Sequence, residues 1–425
     1  MLNRTSGKLK TFLAVLLSLS ALGCSPEKSD LNKQPFTIVV LPDTQHEVNF
    51  ERQKAQGFAI DSSEIFIGQM QYIAKQATAN GGSVVFVSSV GDVWEHATDS
   101  WDPDHASRGI VAEPCTTHRN INRDGVFDVE IPKVIEGYTV LSNAGVAFGV
   151  APGNHDYDAW WSVAGSEIRP NGRYPAHVGG LDNFRRVFGN DSKFFADKEW
   201  YVDSFRGGAN SAQVFSAGGY QFLHLALEMQ PGDEVLAWAE QVIAAHPGLP
   251  TIVATHDYLN PQGERIYRAM ELASDDPEYH NSREDLWQQF IRKTDQIFMV
   301  LCGHQSGQAL RVDENDNGHA VYQLLSDYQK RGQAGLDAGQ AIGRGGGILP
   351  IGDGWLREMT FHLNADQPRV NVRTYSSHYD AYSSELTTYA QWYKEGEQPD
   401  MSDDEFAKAD EFTIELSDFH SRFSP

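Results

Sequence analysis

Five short polar motifs are made of residue types that bind cations or move protons. They are Asp43-Thr44-Gln45, Gly91-Asp92-Val93-Trp94-Glu95, Gly153-Asn154-His155-Asp156, Thr255-His256-Asp257 and Gly303-His304-Gln305-Ser306. Carboxylate, amide and imidazole groups together form a donor set for divalent ions. Two such ions about 3.5–4 Å apart can hold a hydroxide between them and clamp phosphoryl oxygens during in-line displacement. A carboxylate suits the bridging position, because its two oxygens carry a charge that offsets the repulsion between the ions. His155 directly follows Asn154, where an imidazole can protonate a leaving oxygen or stabilise developing charge. Asp156 is placed to orient that ring, and Glu95 to hold a ligand's orientation from outside the coordination sphere.

Taken singly, a Gly-Asp, Gly-His or Asn-His pair is usually a turn or a solvated loop. What distinguishes these motifs is that each sits just past a short apolar run, at 37–41, 84–87, 146–150, 251–254 and 297–301. Such runs read as buried strands. Between the first two, Phe66, Met70, Ile73 and Ala77 recur at helical spacing over 63–80, with Asn80-Gly81-Gly82 as a stop. Strand, helix and strand make a βαβ unit, and its recurrence predicts a layered α/β fold. In such folds, loops at the carboxyl ends of strands converge on ligands. Segments 355–363 and 370–375 alternate as a hairpin, while 94–136 and 167–188 read as long polar insertions.

The order of the motifs resembles the calcineurin-like metallophosphoesterase family over residues 36 to about 375, as a variant with Asp-x-Gln in place of Asp-x-His. The resemblance implies an α/β fold, a layered α-β-β-α sandwich of two mixed sheets flanked by helices. This domain would span 36–378, with 379–425 an acidic C-terminal extension. It also implies two divalent ions (Mn, Mg, Fe or Zn) and hydrolysis of a phosphomonoester or phosphodiester substrate by a metal-activated hydroxide. Asp92 would bridge them. Asp43 would serve the first ion, Asn154, His256 and His304 the second, and His155 would stand beside the substrate. Gln45 and Ser306 occupy the places of two imidazoles that serve the first ion in the family. That site would be oxygen-rich, with Asp43, Asp92, the Gln45 carbonyl and water, suited to harder ions and weaker than the second. His46 and Gln308 are candidate substitutes.

Smaller features are read more plainly. Asp327-Tyr328-Gln329, Asp353-Gly354-Trp355 and Tyr375 are read as hairpin turns and strand-edge packing ahead of pocket lining. Tyr157, Trp160 and Trp161 suit stacking on a sugar or nucleoside, or packing of the inserted loop. The glycine run at 343–347 lacks the lysine and context of a P-loop and reads as a loop.

Residues 1–24 carry Arg4, Lys8 and Lys10 ahead of an apolar run and then Ser20-Ala21-Leu22-Gly23-Cys24, the pattern of a secretory signal. Its end resembles a bacterial lipobox, which implies lipidation of Cys24, a polar tether over 25–35, and an exported protein at the cell envelope or in the periplasm. With three cysteines in 425 residues, no disulfide framework is expected. A net charge of −24 disfavours a nucleic-acid-binding surface. The competing reading is a surface-displayed binding protein of the same fold without turnover, motivated by Gln45 and Ser306. A serine hydrolase is disfavoured, because Ser216 lacks the glycine pattern of a nucleophile elbow.

Overall fold

The computed structural model describes residues 33–99, 101–102, 107–109, 121–161, 177–266 and 272–424. The expected leader, Cys24 and most of the tether lie outside the described residues. Among the described residues, no helix is long and apolar enough to cross a membrane.

Strand β1 (Phe36–Leu41) is buried along its whole length. Its alternate side chains enter different cores: Phe36, Ile38 and Val40 one, Val39 and Leu41 another. That is why the run is apolar at successive positions rather than at every second one. β1 lies parallel to β2 (Val84–Ser89), which lies parallel to β3 (Ala147–Val150). The helix Ser62–Lys75 links the first two strands and buries Phe66, Met70 and Ile73 against them. It ends before the stop signal at Asn80. The Gln76 carbonyl there accepts the Val84 N–H at 2.9 Å, which draws the chain toward β2.

Two mixed sheets with helices result. The first contains these strands together with the antiparallel pair β13 (Trp355–His362) and β14 (Arg369–Ser376), the hairpin expected there. In the second, β8 (Tyr220–Leu227), β9 (Thr251–Thr255), β10 (Ile297–Cys302) and β12 (Ala320–Asp327) run parallel. Phe36, Ile38 and Phe86 of the first sheet share a core cluster with Phe215, Phe222 and Phe298 of the second. Phe86 stacks on Phe215 with ring centroids 4.4 Å apart. Helix Asp233–Ala245 contributes Leu236, Ala239 and Val242 to a separate cluster with Leu225, Val253 and Val300 of the second sheet.

The segment beyond 378, read as an extension, is continuous with this body. Strand β16 (Phe412–Glu415) pairs with β14, and Ile414, Leu416, Phe419 and Phe423 join the cluster between the sheets. Two of its acids are used internally. Glu397 accepts from Arg331 Nε at 2.8 Å and Asp410 from Arg357 at 2.7 Å, all fully or almost fully buried. Phe419→Ala is therefore expected to cost about 3–5 kcal/mol, read by chemical denaturation; a loss under about 1 kcal/mol would mean that this segment adds nothing to the core.

Candidate metal centre

The polar motifs lie at the carboxyl ends of parallel strands from both sheets. Three of the expected ligands converge on one atom of a fourth. His256 Nε2 is 3.2 Å from Asp92 Oδ2, 3.0 Å from Asn154 Oδ1 and 3.2 Å from His304 Nδ1. Donor atoms of Asp92, His256 and His304 all lie within 4.8 Å of one another. The other nitrogen, His256 Nδ1, is 2.9 Å from the Val90 carbonyl, a contact in which it donates and which leaves Nε2 facing the cluster.

Atoms with lone pairs packed this closely need a positive charge among them. Burial alone would lower the proton affinity of His256, but the Asp92 and Asp43 carboxylates outweigh it and push its pKa up to about 10. Burial lowers that of His304 to about 4, which keeps it neutral and able to bind a cation. His304 presents Nδ1 to the cluster, while its Nε2 is buried without a hydrogen-bond partner. The residues on this side therefore fit a divalent ion.

The loops reach this geometry under strain. Asp92 and His304 have φ of 52° and 68°, a left-handed region that costs such residues on the order of 1–3 kcal/mol. Ties between loops hold them. The Asp92 carbonyl accepts the Thr44 N–H at 3.0 Å, Asp92 Oδ1 accepts the His155 N–H at 2.8 Å, and Asp43 Oδ2 accepts the His304 N–H at 2.9 Å. At 153 the chain must be glycine, since a β-carbon there would lie 2.2 Å from Asp92 Oδ1.

His155 overlooks the cluster. Its side chain is 13% exposed while that of Asp92 is 1%, which leaves it within reach of a substrate. Nε2 lies 3.9 Å from Asp92 Oδ2, and Nδ1 is 2.5 Å from the Glu95 main-chain carbonyl. The Glu95 carboxylate is 3.8 Å from the same nitrogen and 3.0 Å from His46. Burial would raise its pKa, but the charges of His46 and His155 hold it at about 2. The orientation of His155 thus comes from Glu95. Asp156, expected in that role, instead accepts the N–H groups of Val93 at 2.9 Å and Gly153 at 2.7 Å, which clamps two ligand loops together. Trp160 packs against His155, with ring centroids 4.6 Å apart, and its indole N–H donates to the Asn154 carbonyl. Tyr157 is buried in the core with the helix Ser62–Lys75.

The Asp43 side departs from expectation. Gln45 faces Asp92 with its nitrogen rather than its oxygen, Nε2 donating to Asp92 Oδ2 at 3.2 Å. His46 faces Glu95, and Gln308 Oε1 accepts from Arg331 at 3.5 Å, so neither stands in for a missing imidazole. Two further groups belong to the site: Gln329 Nε2 donates to Asp43 Oδ2 at 2.9 Å and to Asp327 Oδ2 at 2.8 Å. Asp327 closes the apolar strand β12, the same arrangement that marked the other motifs, and that signal was present in the sequence.

No family model matches this chain. It is similar to the uncharacterized protein YvnB of Bacillus subtilis (strain 168), 28% identical over 244 residues, which are 56% of this chain. The chain spans about 15% of that relative's length. Among solved structures, a dimetal phosphatase from Danio rerio (LOC 393393) aligns with a TM-score of 0.42 and 12% identity, covering 81% of this chain and 97% of that one.

Two outcomes follow from this geometry. A cation must displace the proton that Asp92 and Asp43 hold on His256, so affinity should rise with pH through the neutral range toward about 10, with a proton released on binding. Calorimetry in buffers of different ionisation enthalpy would detect it, and pH-independent affinity would contradict it. Gly153→Ala should weaken cation binding by about tenfold or more, roughly 1.4 kcal/mol, while far-ultraviolet circular dichroism stays unchanged.

Proposed function

We propose that this protein is a metal-dependent phosphoric ester hydrolase, built on a four-layer α-β-β-α sandwich and acting on a phosphomonoester or phosphodiester. The observation that carries the reading is the convergence of Asp92 Oδ2, Asn154 Oδ1 and His304 Nδ1 on His256 Nε2, beneath the partly exposed His155. A divalent cation held by these four residues would supply Lewis-acid activation of a phosphoryl oxygen and of the attacking water.

The chain's own groups support the rest of the reaction. His155 donates from Nδ1 to the Glu95 carbonyl, so Nε2 is the nitrogen that faces the reacting ester. Burial would lower the proton affinity of His155, but Asp92 and then Glu95 raise it above the ordinary imidazole value. That bias keeps a proton on Nε2 for the leaving alcohol oxygen, the role of a general acid. Asp156 preserves the spacing of the Asp92 and Asn154 loops, and the Asp92 hydrogen bond to the His155 main chain fixes the acid relative to the ion.

We further infer that the protein is exported and held at the membrane through Cys24, a reading that rests on the leader's resemblance to a lipobox. Mass spectrometry of the protein from its native envelope would show a lipid-modified terminal cysteine; an unmodified one would reject the anchor.

For the hydrolase, the cation-loaded full chain is assayed with chromogenic aryl phosphate mono- and diesters. His155→Ala should lower kcat by about 10²–10⁴ while cation affinity stays within about threefold, and Asp92→Asn should lose the cation. Turnover unaffected by both substitutions would reject this site. Tight cation binding with no turnover of either ester class would favour the surface-displayed binding protein, the reading motivated by Gln45 and Ser306.

A further inference from the structure

The two sides of the centre satisfy their carboxylates differently. On the His256 side, lone pairs crowd one imidazole nitrogen. On the Asp43 side, the partners are amides. Gln45 Nε2 donates to Asp92 Oδ2 at 3.2 Å and to Gln329 Oε1 at 2.6 Å. Gln329 Nε2 donates in turn to Asp43 Oδ2 and Asp327 Oδ2, at 2.9 and 2.8 Å. A continuous relay of N–H groups therefore reaches three carboxylates, one after each of β1 and β2 and one at the end of β12.

A cation in this position needs lone pairs, and the relay presents hydrogens. Turning the Gln45 amide over would bring its oxygen to Asp92, but would also set it against Gln329 Oε1. Gln329 would have to turn as well, and its oxygen would then face the carboxylates of Asp43 and Asp327. Each amide thus locks the other in the donating orientation. Gln329 is held further by its main-chain N–H, which donates to Asp327 Oδ1 at 2.9 Å.

Three buried oxygens among the residues assigned to this side, Asp43 Oδ1, Gln45 Oε1 and Ser306 Oγ, have no hydrogen-bond partner. They do not complete a coordination set. Asp43 Oδ1 faces Gly303, 2.0 Å from where a β-carbon would sit there, Gln45 Oε1 belongs to the amide whose nitrogen faces Asp92, and Ser306 offers a single neutral hydroxyl where an imidazole was implied. Among the described residues, Asp92, His256 and His304 bring donor atoms within 4.8 Å of one another, while Asp43 Oδ2 stands 3.9 Å from His256 Nε2, farther than the donors of Asp92, Asn154 and His304. The residues on the Asp43 side do not fit a second ion.

We propose that the Gln45–Gln329 amide pair takes the place of one of the two cations that the motifs imply. The protein then binds a single divalent ion, at Asp92, Asn154, His256 and His304. This refines the hydrolase reading and rests on it. Two neutral amides supply dipoles rather than charge, so a phosphoryl group is gripped electrostatically from one side, and the proton on His155 carries more of the stabilisation.

The test uses the full chain, stripped by a chelator and equilibrated with Mn²⁺, with bound metal counted by elemental analysis after dialysis. One ion per chain is expected, and the same count in Asp43→Asn. The double variant Gln45→His/Ser306→His, which restores both imidazoles, should bind two. Two ions of comparable affinity in the unaltered protein would overturn the amide-pair assignment and leave the hydrolase centre standing. A single ion lost in Asp43→Asn but kept in Asn154→Ala would also overturn it. No bound ion at all would sink the centre itself. Should the double variant fail to fold, the count in the unaltered chain still decides.

Discussion

Asp43, Asp92 and Asp327 are each at most 2% exposed, and they meet where strands of the two sheets end. An uncompensated charge in such a place costs several kcal/mol. Much of the surrounding chain can be understood as meeting that cost. His256 brings positive charge, as a proton or as a ligand of a cation. The main-chain N–H groups of His155 and His304 each donate to one of these carboxylates, and the amides of Gln45 and Gln329 supply the remainder. Those hydrogen bonds help to offset the left-handed backbone at Asp92 and His304.

The same demand links the centre to the C-terminal region. Gln329 lies two residues before Arg331, whose guanidinium donates to Glu397 and to the Tyr389 hydroxyl on helix Tyr389–Glu397. The loop that carries the relay is therefore anchored by a segment far away in the chain. Two acids of that segment, Glu397 and Asp410, pair with Arg331 and Arg357.

Strands that end in polar motifs were readable because a run such as 37–41 is apolar enough to be buried on both faces. The motif order then named Asp92, Asn154, His256 and His304 as neighbours. What stayed hidden depended on long-range pairing or local geometry. Gln329 reads as part of a hairpin turn until the strand before it is known to lie parallel to β10, which brings Asp327 to the shared edge. Asp156 follows His155 directly, yet both belong to the 3₁₀ turn Asn154–Asp156, where successive side chains point about 120° apart. One therefore faces Glu95 and the other turns back to the main chain.

Asn154 follows a strand of one sheet and His256 a strand of the other, and their donor atoms are 3.0 Å apart. Sliding one sheet past the other by a single residue, about 3.3 Å, would be a displacement as large as that separation itself. The face-to-face rings of Phe86 and Phe215, one from each sheet, resist such a slide. Those two aromatic side chains, remote from any chemistry, thus act as a spacer gauge: ligand alignment is inherited from how the hydrophobic layers seat on one another, and a cavity opened there would loosen the ion's grip without altering a single donor.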